Sequence, residues 1–306
     1  MYDRTLTKMQ SIVSYPDRGR YGDNAYRGNC SGLLIKDIIE QYKLRSLSDY
    51  MVGGGTTEDV CRETGITGTF TDLNRGFDMV DMDMPDRPQN IFWHPPYDSI
   101  IVYSDNMYRA SEVQRIYGFD PRKNDLSRCK DWETFVKMLN HCMLKQFASL
   151  EKGGRIFTLV GDIKRRGVLY SMLCDIAKPG TLEQVIIKAQ HNCWSDRRTY
   201  SRQNFVPIVH EYLIVTRKDE GLLVPVSYGC RTTLDMTKSR SASWRDSVYA
   251  FLHENGEASL DDLYEAFRDS PRTNTNPNWQ AKIRQTVQND RYFRRTARGR
   301  YAIAAA

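Results

Sequence analysis

The stretch Asn90-Ile91-Phe92-Trp93-His94-Pro95-Pro96-Tyr97 decides the fold. An apolar run that stops at two prolines reads as a buried strand ending in a stiff turn. Two consecutive prolines remove two N–H donors and restrict the residue before them, so the neighbouring carbonyls are left to face a cleft. Upstream lies a second punctuated stretch, Asp49-Tyr50-Met51-Val52-Gly53-Gly54-Gly55-Thr56-Thr57. A strand that ends in glycines ahead of a helix lets backbone approach a ligand closely and points helix N–H groups at it. Asp72, at the end of the next predicted strand, stands where a carboxylate accepts hydrogen bonds from ribose hydroxyls. A dinucleotide fingerprint would need glycine where Glu58 stands, and each turn read alone also suits an ordinary strand end.

Around these two turns the periodicity alternates. Residues 33–43 place Leu34, Ile35, Ile38, Ile39 and Tyr42 on one helical face. Strands are expected over 44–52, 68–72, near 77–80 and over 90–93, with a helix from Thr57 to Thr64. Trp132, Phe135, Val136, Leu139, Met143, Phe147 and Leu150 form one stripe of a helix over 132–150, capped by Asp131 and stopped by Gly153-Gly154. Residues 155–160 read as a buried strand, and 185–188 with 206–216 as a final pair. The pair is joined by a polar loop carrying Gln190, His191, Asn192, Trp194, Arg197, Arg198 and Tyr200. Such alternation predicts an α/β fold, a mostly parallel sheet covered on both faces.

At 306 residues, 40% of them hydrophobic and 27% charged, the chain suits one full-sized domain and one small one. No apolar run approaches the roughly 20 residues of a membrane span, and Met1-Tyr2-Asp3-Arg4-Thr5 has no apolar signal core. Cys30, Cys61, Cys129, Cys142, Cys174, Cys193 and Cys230 are odd in number and lack a Cys-x-x-Cys pair, which predicts reduced thiols in a cytoplasmic protein. The cluster Cys129, His141, Cys142, His191 and Cys193 fits no standard finger spacing, so no metal site is expected.

The net charge of +6 is weak evidence for an anionic partner, but its distribution says more. From Pro271 onward the chain carries Arg272, Lys282, Arg284, Arg291, Arg294, Arg295, Arg298 and Arg300 against the single acid Asp290, which suggests phosphate contacts. Helices are expected over 243–253, over 259–267 with Ser259 and Asp262 as a capping box, and over 278–290. A hairpin over 292–303 turns at Arg298-Gly299. Three helices and a basic hairpin are the plan of a winged helix-turn-helix. The expected domains are 1–217, a linker 218–242, and 243–306.

On these motifs the chain resembles the S-adenosylmethionine-dependent amino-methyltransferases of DNA, which modify adenine N6 or cytosine N4. Their cofactor motif, Asp-Pro-Phe-x-Gly-x-Gly-Thr, is matched by Asp49, Gly53, Gly55 and Thr56, with Tyr50 in place of proline. Their catalytic motif is Asp, Asn or Ser followed by Pro-Pro-Tyr, and Tyr26-Arg27-Gly28-Asn29-Cys30-Ser31-Gly32 looks like their N-terminal cofactor motif. The resemblance covers roughly residues 20–217. It implies a Rossmann-like class I methyltransferase sheet with an antiparallel final strand, followed by the small winged-helix domain. It also implies S-adenosyl-L-methionine as cofactor, held by Asn29, Asp49, Met51, Gly53, Gly55, Thr56, Thr57, Asp72 and Leu73.

The implied catalytic residues are His94, Pro95, Pro96 and Tyr97. A flipped adenine would give its amine hydrogens to the Pro95 carbonyl and to His94 and stack on Tyr97, for direct in-line transfer. His94 departs from the family. Neutral imidazole accepts with one ring nitrogen, whereas imidazolium accepts with none. The implied partner is double-stranded DNA, with a restriction endonuclease and a homodimer as further candidates. Its expected contacts are Arg197, Arg198, Asn278, Gln280, Lys282, Arg284, Gln285, Arg295 and Arg298. Besides adenine N6, three readings stay open: cytosine N4, a catalytically silent DNA-binding regulator argued from His94, and an RNA methyltransferase, which the winged helix disfavours.

Overall fold

The computed structural model describes residues 9–191, 206–219, 224–229, 235–240 and 242–304. They fall into two compact units, one up to residue 230 and one from 231. In chain order the first unit contains β1 (Ile12–Ser14), α1 (Gly32–Tyr42), α2 (Thr56–Thr64), β2 (Asn90–Trp93), α3 (Ala110–Tyr117) and α4 (Trp132–Ser149). There follow β3 (Arg155–Val160), β4 (Ile163–Arg165), β5 (Val168–Tyr170), α5 (Met172–Asp175), β6 (Lys178–Pro179), β7 (Thr181–Ala189), β8 (His210–Arg217) and β9 (Val226–Ser227).

The central sheet has the order β1-β7-β8-β3-β2. β1 runs parallel to β7 and β2 parallel to β3, while β8 is antiparallel to both β3 and β7. All strands but β8 therefore point one way. Beyond β2 the sheet continues as short parallel bridges, Ser48 with Ile91, then Ser46 with Thr67 and Asp49 with Phe70. The expected strands over 44–52 and 68–72 thus appear as brief extended pairings. Residues 77–80 form no strand. The Asp78 carboxylate accepts from the Val80 and Asp81 N–H groups at 3.0 and 3.3 Å, closing a turn that leaves the backbone nothing to offer a ladder.

Alternation along the strands sorts side chains onto two faces. Ile91, Trp93, Ile156, Val160 and Ile214 pack against Phe135, Leu139, Met143 and Phe147 of α4. Phe92, Phe157, Leu159, Leu213 and Val215 pack against Leu34, Ile35, Ile38 and Ile39 of α1. Each large apolar side chain so buried contributes roughly 1.5–3 kcal/mol. Asp131 caps α4, accepting from the Thr134 N–H at 2.8 Å. Among the described residues no helix is long and apolar enough to cross a membrane.

The span 218–242 is not featureless. Val226–Ser227 pairs antiparallel with Lys178–Pro179, and the Gly229 N–H donates to the Cys174 carbonyl at 2.8 Å, so residues 224–229 are stitched into the first unit.

The second unit comprises α6 (Trp244–Asn255), β10 (Glu257–Ser259), α7 (Leu260–Phe267), α8 (Trp279–Val287), β11 (Phe293–Ala297) and β12 (Arg300–Ile303). The Ser259–Asp262 capping box is formed in both directions, at 3.1 and 2.8 Å. The antiparallel sheet β10-β12-β11 closes a core of Val248, Leu252, Leu263, Phe267, Ile283, Val287 and Phe293.

Arg272, grouped in the sequence with the phosphate-facing cations, instead belongs to this core. Its guanidinium lies 4.2 Å from the Trp244 ring centre and donates to the Ala242 carbonyl and the Ser247 hydroxyl. The stacking and the two hydrogen bonds hold a charge that burial would otherwise expel. Arg272→Ala is expected to lower unfolding free energy by about 2–4 kcal/mol. Thermal denaturation of the full chain checks this; an unchanged melting temperature would return Arg272 to the surface.

Candidate functional site

The glycine turn and the diproline corner both open at the same end of the sheet. The turn is braced by a carboxylate. Asp49 accepts from the Thr57 hydroxyl at 2.6 Å and from the Met51 N–H at 3.0 Å, both within the loop it begins. Almost wholly buried, its carboxyl is pushed up by desolvation to about 7. Asp72 accepts from the Gly53 N–H and the Asn74 N–H, each at 3.0 Å, and is likewise raised by burial. Gly53 has φ 51°, and a β-carbon there would sit 2.9 Å from the Tyr26 ring. Gly55, at φ 87°, caps α2. Tyr50, standing where the family has proline, is fully buried with its hydroxyl bonded to Asp86.

A cleft opens beside this turn. Asn29, Asp49, Met51, Gly53, Thr56, Thr57, Asp72 and Leu73, all expected as cofactor ligands, line it; Gly55 does not. His94 and Pro96 close its far side. Periodicity did not reveal the remaining walls. Tyr26, Tyr103 and Tyr108 supply rings, Tyr26 and Tyr103 being stacked at 5.6 Å, and Asp78, Asn124 and Asp125 add polar groups. Four buried aspartates therefore line a cleft whose walls hold no Lys or Arg among the described residues. The buried Thr56 hydroxyl has no hydrogen-bond partner among them either.

A second cleft lies on the other side of the corner and shares Gly28, Asn29, His94 and Tyr103 with the first. Pro95 and Tyr97 face it, with Arg18, Arg27, Lys188 and Glu211. The corner itself is tied down. His94 Nε2 lies 2.9 Å from the Tyr97 hydroxyl, which donates to Glu211 at 2.7 Å, and Lys188 donates to the other carboxylate oxygen at 2.7 Å. Burial, the largest effect, works to raise the Glu211 carboxyl, but Lys188, His94 and the Tyr97 hydrogen bond together hold it below its usual value. Burial lowers His94, keeping the ring neutral.

On the other flank Asp98, at φ 49°, is ion-paired with Arg165, which also donates to the Ser99 hydroxyl at 2.7 Å. Arg165 thereby braces the corner. Among the expected DNA contacts, Arg197 and Arg198 lie outside the described residues. Asn278, Gln280, Lys282, Arg284, Gln285, Arg295 and Arg298 are exposed on α8 and the hairpin of the second unit, and none of these cations is ion-paired among the described residues.

The chain matches no protein-family model and no curated protein. Among solved structures it is similar to three crystal structures of a provisionally assigned DNA modification methylase from Thermus thermophilus. A selenomethionine form has 16% identity, 66% of this chain and 62% of that chain covered, and a TM-score of 0.29. A second form has 17% identity, coverage of 67% and 65%, and a TM-score of 0.29. A complex of that protein with S-adenosyl-L-methionine has 16% identity, coverage of 66% and 63%, and a TM-score of 0.28. The chain spans less than two thirds of the length of those chains, a likeness too distant to carry an argument.

The Asp49 brace has a measurable signature. A carboxyl whose folded value lies above its unfolded one stabilises the fold least at high pH, the loss developing between the ordinary aspartate range and about 7. Asp49→Asn removes that penalty, so its stability relative to the native chain is expected to rise by about 2–4 kcal/mol from pH 4 to pH 8. Denaturant titrations at the two pH values check the sign; a constant difference would mean that Asp49 titrates normally.

Proposed function

We propose that the first unit is a methyltransferase that uses S-adenosyl-L-methionine to methylate an exocyclic base amine in duplex DNA, adenine N6 being the first choice. The observation that carries this reading is the meeting of two clefts of opposite electrical character at His94 and Tyr103, on either side of the diproline corner. The aspartate-lined, aromatic cleft favours a ligand that is cationic and carries a flat ring, and disfavours a dinucleotide whose pyrophosphate would face those carboxylates. The second cleft, with Arg18 and Arg27, favours a polyanion.

The residues of the first cleft fit this cofactor. Asp72 keeps a free lone pair on each oxygen for ribose hydroxyls, and the unpartnered Thr56 hydroxyl and the start of α2 offer polar contacts at the glycine turn. Bound there, S-adenosylmethionine supplies an electrophilic methyl on a positively charged sulfur. His94 and the Pro95 carbonyl orient the amine, since the Pro-Pro pair brings no N–H donor that would compete for it. Tyr97 offers its ring to the second cleft, with its hydroxyl held by Glu211. Positioning and electrostatics then supply most of the rate. The second unit, with α8 and its arginine-bearing hairpin, is read as a winged helix that grips the duplex.

Transfer of labelled methyl groups to duplex DNA, followed by nucleoside digestion, tests this directly. 6-Methyladenine is expected; 4-methylcytosine would move the target, and DNA without label would overturn the assignment in favour of a silent DNA-binding regulator. His94→Ala is expected to lower turnover by about 10²-fold or more while cofactor affinity changes by less than about threefold. Equal turnover would remove His94 from the chemistry. Replacing Arg295 and Arg298 by Ala should weaken duplex binding at every sequence alike and flatten its salt dependence by roughly one per arginine. An unchanged salt slope would point instead to a protein partner for this face.

A further inference from the structure

We propose that Lys188 and Glu211 are positioning residues that hold His94, through the Tyr97 hydroxyl, as the tautomer protonated on Nε2, leaving Nδ1 as acceptor for the target amine. This rests on the methyl-transfer reading above. The inference follows the protons along one chain of contacts. Lys188 donates to Glu211 Oε2 at 2.7 Å, and both side chains are buried to about nine tenths. A carboxylate paired with a buried ammonium carries no proton, so at the 2.7 Å contact with Oε1 the Tyr97 hydroxyl must be the donor. That spends the only hydroxyl proton of Tyr97. Its oxygen, 2.9 Å from His94 Nε2, can then only accept, so Nε2 carries the hydrogen. In a neutral ring the lone pair is left on Nδ1.

The titratable groups around the corner come from several elements. Glu211 belongs to β8 and Lys188 to β7, Tyr97 and His94 to the corner itself, and Tyr103 to the segment after it. Cys30 precedes α1, and burial raises its thiol to about 12, so it stays neutral. Glu211 raises the His94 value and Lys188 lowers it, while burial, the largest effect, lowers it.

In the transfer the amine nitrogen gives its lone pair to the new N–C bond. The C–S bond breaks with its electron pair left on sulfur, and one amine proton passes to Nδ1. The resulting imidazolium has the Glu211 carboxylate 4.0 Å away.

Imidazole nitrogen NMR of the histidine-labelled full chain reads the tautomer without any turnover, the His94 signal being assigned by its loss in His94→Ala. An unprotonated Nδ1 and a protonated Nε2 are expected in the native chain near neutral pH. Glu211→Gln supplies an N–H donor that can turn the Tyr97 hydroxyl toward the ring, so the proton should move to Nδ1. Turnover should then fall about tenfold or more, with cofactor affinity within about twofold.

The acid limb of turnover, set by neutral His94, should move in opposite directions, to lower pH in Glu211→Gln and to higher pH in Lys188→Met. A protonated Nδ1 in the native chain, or an acid limb that neither variant moves, would overturn the proposal. If either variant fails to fold, the native tautomer still decides it. A native chain that holds the Nε2–H tautomer but transfers no methyl would support the relay and overturn the methyl-transfer reading instead.

Discussion

Glu211 stands opposite Lys188 in the antiparallel register of β8 and β7, and its free oxygen takes the proton of Tyr97, so one buried carboxylate couples the sheet to the diproline corner. Breaking a buried pair of this kind by removing one partner costs about 3–5 kcal/mol, because the survivor is left charged in a poor solvent. That cost gives the corner its rigidity on the sheet side. On the other flank Arg165 of β4 holds Asp98 in a left-handed backbone conformation that a non-glycine residue seldom adopts. Strain at one residue persists only where its surroundings over-determine it, and here an ion pair and nearly complete burial both do so. The corner is thus gripped from two sides and has little freedom left to lose when something binds.

The acidic cleft is linked to the brace that shapes its mouth. Asp49 bonds to Thr57 and Met51 and is held near the threshold of ionisation at neutral pH, while Asp72, Asp78 and Asp125 share the same walls. A cation entering there would favour the ionised form of Asp49, since an opposite charge nearby lowers a carboxyl value. Ligand binding and deprotonation of the glycine-turn brace should therefore reinforce each other. A cleft of this kind turns cation binding into stiffening of the loop that forms it.

The two turns, the helices flanking them and the strand pairs around 90–93 and 155–160 were legible because each carries strong local punctuation: glycine, proline, or an unbroken apolar run. Eight of the nine residues expected to hold a cofactor do share one cleft. The other walls were not legible. Tyr103, Tyr108, Asn124 and Asp125 sit in irregular segments with no period to read, and tertiary packing alone brings them together. Residues 77–80 look like a strand by composition, yet Asp78 turns their backbone aside. Arg272 shows the limit of charge counting, since it is spent inside its own unit. Lys188 and Glu211 left a signal that pattern reading passed over: one opposite charge in each of two strands already expected to pair.

That pair also gives a physical reason for the imidazole at position 94. An aspartate there, as in the family the chain resembles, would place a second carboxylate near Glu211, whose oxygen is now 4.0 Å from the His94 ring nitrogen. Two carboxylates facing each other at a buried corner disfavour each other's charge, which raises the value of one of them. A protonated carboxyl offers its hydrogen and becomes a poor acceptor for an amine. Neutral imidazole avoids the conflict: it presents no charge to Glu211 at rest, and it gains a counter-ion only when it takes a proton. With Glu211 in place, histidine is the residue that sets a neutral ring beside it at the corner.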